Sequence, residues 1–180
     1  MVEASDFEFD WFFVSQARSD ISTIEQLFET GVFRQGIPMS VSQAIVTSIL
    51  IHLNDLLQKA KGKGFRVSFT DDMMVTDKIL DVTDLVREFR NAAAHIPSAL
   101  RRHGTNTFSF NIVKGRGSNF SSDLPDIGYD DDFAIIYGGM HLYLHRHIVR
   151  AFQEIAPEFS RIYEEERNRR IDALQACGIA

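Results

Sequence analysis

The stretch LVREFRNAAAHIPSALRRH, Leu85–His103, places four arginines and two histidines around a helix end, in a chain whose formal net charge is −6. At about 100° per residue, Leu85, Phe89, Ala92, Ala93 and Ile96 fall on one side and predict a buried stripe. The helix carrying it is expected to start near Thr76 or Asp77 and to run to Ile96, because Pro97 disfavours helical backbone at the residue before it. Arg87, Asn91 and His95, spaced by four, line a second face. Arg90 lies about 140° from His95 on an ideal helix. The reach of an arginine side chain, distortion of the last turn, or a second copy of the helix would each close that offset. Ala92, Ala93 and Ala94 are small enough to let another backbone approach, which predicts a two-fold dimer through this helix. His95 falls in the expected final turn, where the negative end of the helix dipole favours an imidazolium and suits a group that exchanges protons.

Working outward, apolar residues recur at three and four from about Phe7 to Thr30 (Phe9, Phe12, Phe13, Ile21, Ile24, Leu27, Phe28) and stop at Gly31, as in an amphipathic helix. Ser40 is placed to cap a second helix that buries Val41, Ala44, Ile45, Ile49, Leu53, Leu56 and Leu57 before KGKG, Lys61–Gly64, breaks it. After Pro97 the composition changes. TFSFNIV, Thr107–Val113, and DFAIIY, Asp132–Tyr137, read as strands of a β-hairpin over about 106–137, with a long mobile tip between them. Gly138 and Gly139 are expected to end it, followed by a helix from Met140 to Ile155 and a last segment opened by Pro157. The whole predicts one mainly α domain over 1–180, an antiparallel bundle of four to five helices with a β-hairpin inserted before the last long helix.

Within that frame, RNAAAH, with Arg90, Asn91 and His95, resembles the hallmark of the HEPN superfamily: an arginine, a polar residue and, a few positions on, a histidine near a helix end. The resemblance implies a HEPN-like bundle and a metal-independent, usually dimeric ribonuclease whose two motifs face each other across a cleft. Proteins of this kind often act with an antitoxin or in antiviral defence. In the implied mechanism the ribose 2′-OH is the nucleophile, so the protein must only take its proton, stabilise the phosphate and protonate the leaving oxygen. His95 would move protons, Arg90 would clamp phosphate with its bidentate fork, and Asn91 would orient either. Arg87, Arg101, Arg102 and His103 are candidates for flanking phosphates, and Arg146 and Arg150 for the cleft wall if their helix packs beside this one. A catalytically silent module that binds RNA or a nucleotide, or serves as a dimeric partner, uses the same residues. The plain alternative is a solvated, cationic helix end.

Other polar clusters carry less. His141 and His145 have the spacing of a helical metal pair, yet they fall on an apolar stripe with no intervening glutamate, which favours a buried pair. Asp126, Asp130, Asp131 and Asp132 lack the glycine-timed pattern of a calcium loop. GRG, Gly115–Gly117, reads as hairpin tip. No cofactor or metal is expected. With 180 residues the chain can bury about two-thirds of its unfolded surface, and its one cysteine, Cys177, leaves no disulfide framework and suits the cytoplasm. The N-terminal MVEASDFEFDWFF puts acids before apolar residues, unlike a signal peptide. The longest apolar run, AIVTSILIHL, is shorter than the roughly 20 residues that cross a bilayer, so no membrane association is expected. The acidic balance argues against a surface that coats nucleic acid and leaves room for a local basic site.

Overall fold

The computed structural model describes residues 4–31, 33, 38–95, 102–103, 106–107, 111–117, 128–137 and 139–177, with the backbone alone for 4–10, 102–103 and 106–107. The chain is mainly helical with a small antiparallel sheet. Helix α1, Ala4–Glu29, stops where Gly31 turns into the left-handed region (φ 69°). Ile21 and Ile24 are buried, whereas Phe12, expected on the apolar face, is exposed. Helix α2, Met39–Gly62, starts two residues earlier than read. Extended Pro38 precedes it and its carbonyl accepts the amides of Val41 and Ser42, so Ser40 lies inside the first turn and caps nothing. Its buried face is Val46, Ile49, Leu50, Leu53, Leu56 and Leu57, while Val41 and Ala44 are exposed. At its end Phe65 N–H reaches Ala60 O and Gly64 N–H reaches Lys61 O, a Schellman closure that places Gly64 at φ 85°. By length and composition alone α2 is apolar enough to cross a membrane.

Helix α3, Val82–Ala94, is shorter at both ends than expected. Thr76 and Ile79 exchange backbone hydrogen bonds in a tight turn, and extended Asp81 is the cap, its carboxylate accepting Asp84 N–H at 3.1 Å. Leu85, Phe89 and Ala92 are buried as the stripe predicts, joined by Val82 and Val86; Ala93 is half-buried and Ile96 lies outside the described residues. Ala92 packs in the chain's own core, so of the three small residues Ala94 alone is exposed.

The predicted hairpin exists but is divided. Strands β1, Arg102–His103, and β2, Asn106–Thr107, pair with each other, while β3, Asn111–Lys114, pairs with β4, Phe133–Tyr137. Of the expected strand Thr107–Val113, Thr107 pairs in β2 and 111–113 in β3, while 108–110 and most of the expected tip, 118–127, including Asp126, lie outside the described residues. Gly115 sits at the neck, where its N–H bonds Asp132 O, and Gly128 approaches it so closely that a Cβ there would collide with Gly115 O. Gly128, at φ 93°, has no room for a side chain. Gly128→Ala is expected to lower stability by about 1–3 kcal/mol, read as a drop in thermal midpoint.

Beyond Gly139 the chain turns back rather than forming a helix: β5, Met140–Tyr143, pairs with β4 in the register Ala134↔Tyr143. A π-helical turn, Leu144–Val149, then leads into α4, Arg150–Ala176. Pro157 lies inside α4 and opens no new segment. The carbonyl it leaves unpaired, that of Gln153, belongs to an exposed residue, where water can satisfy it. Phe28 meets Phe152, Phe13 meets Phe159 and Trp11 meets Tyr163, so α1 and α4 run antiparallel. One sheet face gives Ile135, Tyr137, Met140 and Leu142 to the main core, with Tyr137 edge-on to Phe89 of α3.

Candidate functional site

Arg90 stands out on α3. Its side chain is half-buried, Nη1 donates to Asn91 Oδ1 at 3.2 Å, and Nε is buried without a hydrogen-bond partner among the described residues. No carboxylate among the described residues meets it. The partly buried arginines around it differ. Arg66 grips Asp81 (2.5 Å) and Asp84 (2.8 Å), and Arg87 meets Asp84 (2.9 Å) and Glu88 (3.3 Å) while donating to Lys78 O. A permanently charged fork with an unsatisfied buried N–H is a group that gains from an anionic acceptor.

His95 ends the helix rather than continuing it. It is the C-cap, with extended backbone (φ −128°, ψ 115°), and its N–H bonds Asn91 O at 2.9 Å. The helical wheel therefore stops applying at this residue, whose side chain is exposed. Asn91 thus touches both partners: its side chain holds Arg90 and its carbonyl holds the His95 backbone. Among the described residues, no hydrogen bond orients the imidazole itself.

The flanking arginines fare differently. Arg101 and the side chains of Arg102 and His103 lie outside the described residues. Arg87 is committed to Asp84, whose carboxyl burial pushes up but which Arg66 and the Leu80 N–H hold below the usual range. Arg146 sits on the π turn among Asp132 (3.2 Å), Asp131 (3.1 Å) and Asp72 (3.6 Å), stacked 3.8 Å over Tyr129. Three carboxylates neutralise it, so it brings no net positive charge to a phosphate.

His141 and His145 are not a helical pair. His141 lies in β5 and His145 is exposed in the π turn. Burial pushes the His141 imidazole below its ordinary range. Among the described residues, no three His, Cys, Asp or Glu side chains are grouped to hold a metal ion. Asp131 and Asp132 serve Arg146, and Asp130 makes an exposed pair with Arg116 at 3.5 Å.

No family model, curated protein or solved structure matches the chain. The geometry itself must therefore carry the reading. Two features went unseen in the sequence. One is an open groove of about 550 Å³ beside the start of α3, lined by Lys61, Arg66, Lys78, Asp84, Arg87 and Glu88; the signal for its floor was the Asp81–Asp84 spacing. The other is His147, fully buried and bonded at both ring nitrogens, which no periodicity distinguishes from its neighbours.

Proposed function

We propose that this chain is a HEPN-like, metal-independent endoribonuclease that works as a cytoplasmic homodimer. The observation that carries the reading is Arg90, a half-buried guanidinium at the His95 end of α3 that no carboxylate neutralises among the described residues. In the proposed step the 2′-OH attacks the adjacent phosphorus, its proton passes to one His95, and the P–O5′ bond breaks. The leaving oxygen takes a proton from the second His95, giving a 2′,3′-cyclic phosphate and a 5′-hydroxyl. Arg90 holds the phosphate oxygens as charge builds. The apolar face of α2 already lies in the chain's own core, which favours a protein free of the membrane. An antitoxin or defence-system partner fits the same reading.

A non-catalytic reading has its own observation. Asn91 orients Arg90 and not the imidazole, as a module that only binds RNA or a nucleotide would require. Incubation of purified protein with mixed RNA, with and without chelator, separates the two. Cleavage is expected to be indifferent to chelator, to leave cyclic phosphate ends, and to spare DNA, which lacks the 2′-OH. Equal cutting of matched RNA and DNA would sink the mechanism; binding without turnover would establish the module instead.

A further inference from the structure

The segment between α2 and α3 is tied to the π turn by a cluster of polar groups. His147 Nδ1 accepts Tyr143 N–H at 3.0 Å, and its Nε2 donates to Asp71 O at 2.9 Å. Those two bonds fix a neutral ring with its proton on Nε2, because a ring nitrogen that accepts an amide N–H carries no proton. Asp72 beside it adopts φ 58°, a left-handed backbone uncommon outside glycine, and is held there by Tyr129 OH at 2.6 Å and Arg146 Nε at 3.6 Å. Arg150 pairs with Asp71 at 2.9 Å and lies over Phe69, which stacks on His147. The same segment feeds α3: Phe69 O accepts Val82 N–H and Val67 O accepts the Thr83 hydroxyl.

We propose that His147 is an acid-sensitive latch, which holds the 69–72 segment on the π turn while neutral and releases it when protonated. A proton on Nδ1 would set two N–H groups against each other at Tyr143, so one of the two bonds that define the latch must break. The groups facing the ring divide. Asp72 and the Asp71 carbonyl from the segment, with Asp132 before β4, favour the proton; burial and Arg150 of α4 oppose it. Burial dominates and holds the imidazole below its ordinary range. The sign follows: the latch contributes fully above the unfolded value near 6.5 and weakens as pH falls below it.

Amide hydrogen exchange tests it, with rates corrected for intrinsic pH dependence. Between about pH 7.5 and about pH 5.5, the amides of Tyr143, Thr76, Ile79 and Val82 are expected to lose about tenfold in protection, while those of Val46 to Leu57 in α2 keep theirs. In His147→Gln, whose amide offers an acceptor and a donor but does not titrate, the loss is expected to vanish. Protection that does not change with pH, or falls equally in α2, or falls equally in His147→Gln, would overturn the latch. Should that variant not fold, the imidazole titration of His147 in the unmodified protein decides: a midpoint that differs from that of the segment's opening rejects the inference.

Discussion

Replacing His95 with alanine is expected to lower RNA cleavage by about 10²–10⁴-fold, the usual contribution of a positioned acid or base, while leaving RNA affinity nearly intact. The split follows from its place: an exposed side chain at the C-cap of α3, bound to the protein through its backbone alone among the described residues. Arg90→Ala is expected to weaken binding as well, since a clamp touches phosphate before and during reaction. Arg90→Lys restores little, because a point charge cannot reproduce the fork that Asn91 Oδ1 orients. Neither change should unfold the protein. Arg90→Ala removes a buried N–H that has no partner among the described residues, so its stability cost is expected to stay within about 1 kcal/mol. Thermal melts check this before kinetics are read. Equal cleavage by the unmodified protein and His95→Ala, with contaminating nuclease removed, would refute the assignment of His95.

What the sequence could and could not disclose follows from which forces are local. The α3 stripe was legible because Leu85, Phe89 and Ala92 answer to helical periodicity alone. The helix start was not, because Thr76, Asp77 and Asp81 can all cap; Asp81 wins through Arg66, a tertiary partner that also grips Asp84. Gly138–Gly139 after the β-branched and aromatic run Phe133–Tyr137 is a turn signal, but Met140–Tyr143 also continues the apolar pattern of the helix after it. Arg87, Arg90 and Arg146 look equivalent as letters. Folding brings carboxylates to the first and third and none, among the described residues, to the second. The candidate site was thus named from spacing, while the distinction among its arginines depended on contacts distant in sequence.

Asp132→Ala is expected to destabilise the chain by about 3–5 kcal/mol, roughly 1–2 kcal/mol for each of the three backbone amides that would lose a buried, charged acceptor. That is a large share of the roughly 5–15 kcal/mol that hold a domain together. Asp132 is almost fully buried, and its two oxygens accept four donors: the amides of Phe133 (2.7 Å), His145 (2.9 Å) and Arg146 (3.1 Å), and Arg146 Nη1 (3.2 Å). Alanine would orphan the first amides of the π turn and leave Arg146 with the exposed Asp131 and the more distant Asp72. Asp132→Asn should lose less, because one oxygen still accepts, yet its NH₂ must face an N–H or the guanidinium. Urea unfolding measures both, through a lower midpoint at unchanged slope. The π turn also carries His147, so weakening it should loosen the 69–72 segment at neutral pH, where His147 itself would not. A loss below about 0.5 kcal/mol in Asp132→Ala would show that Asp132 does not hold the turn.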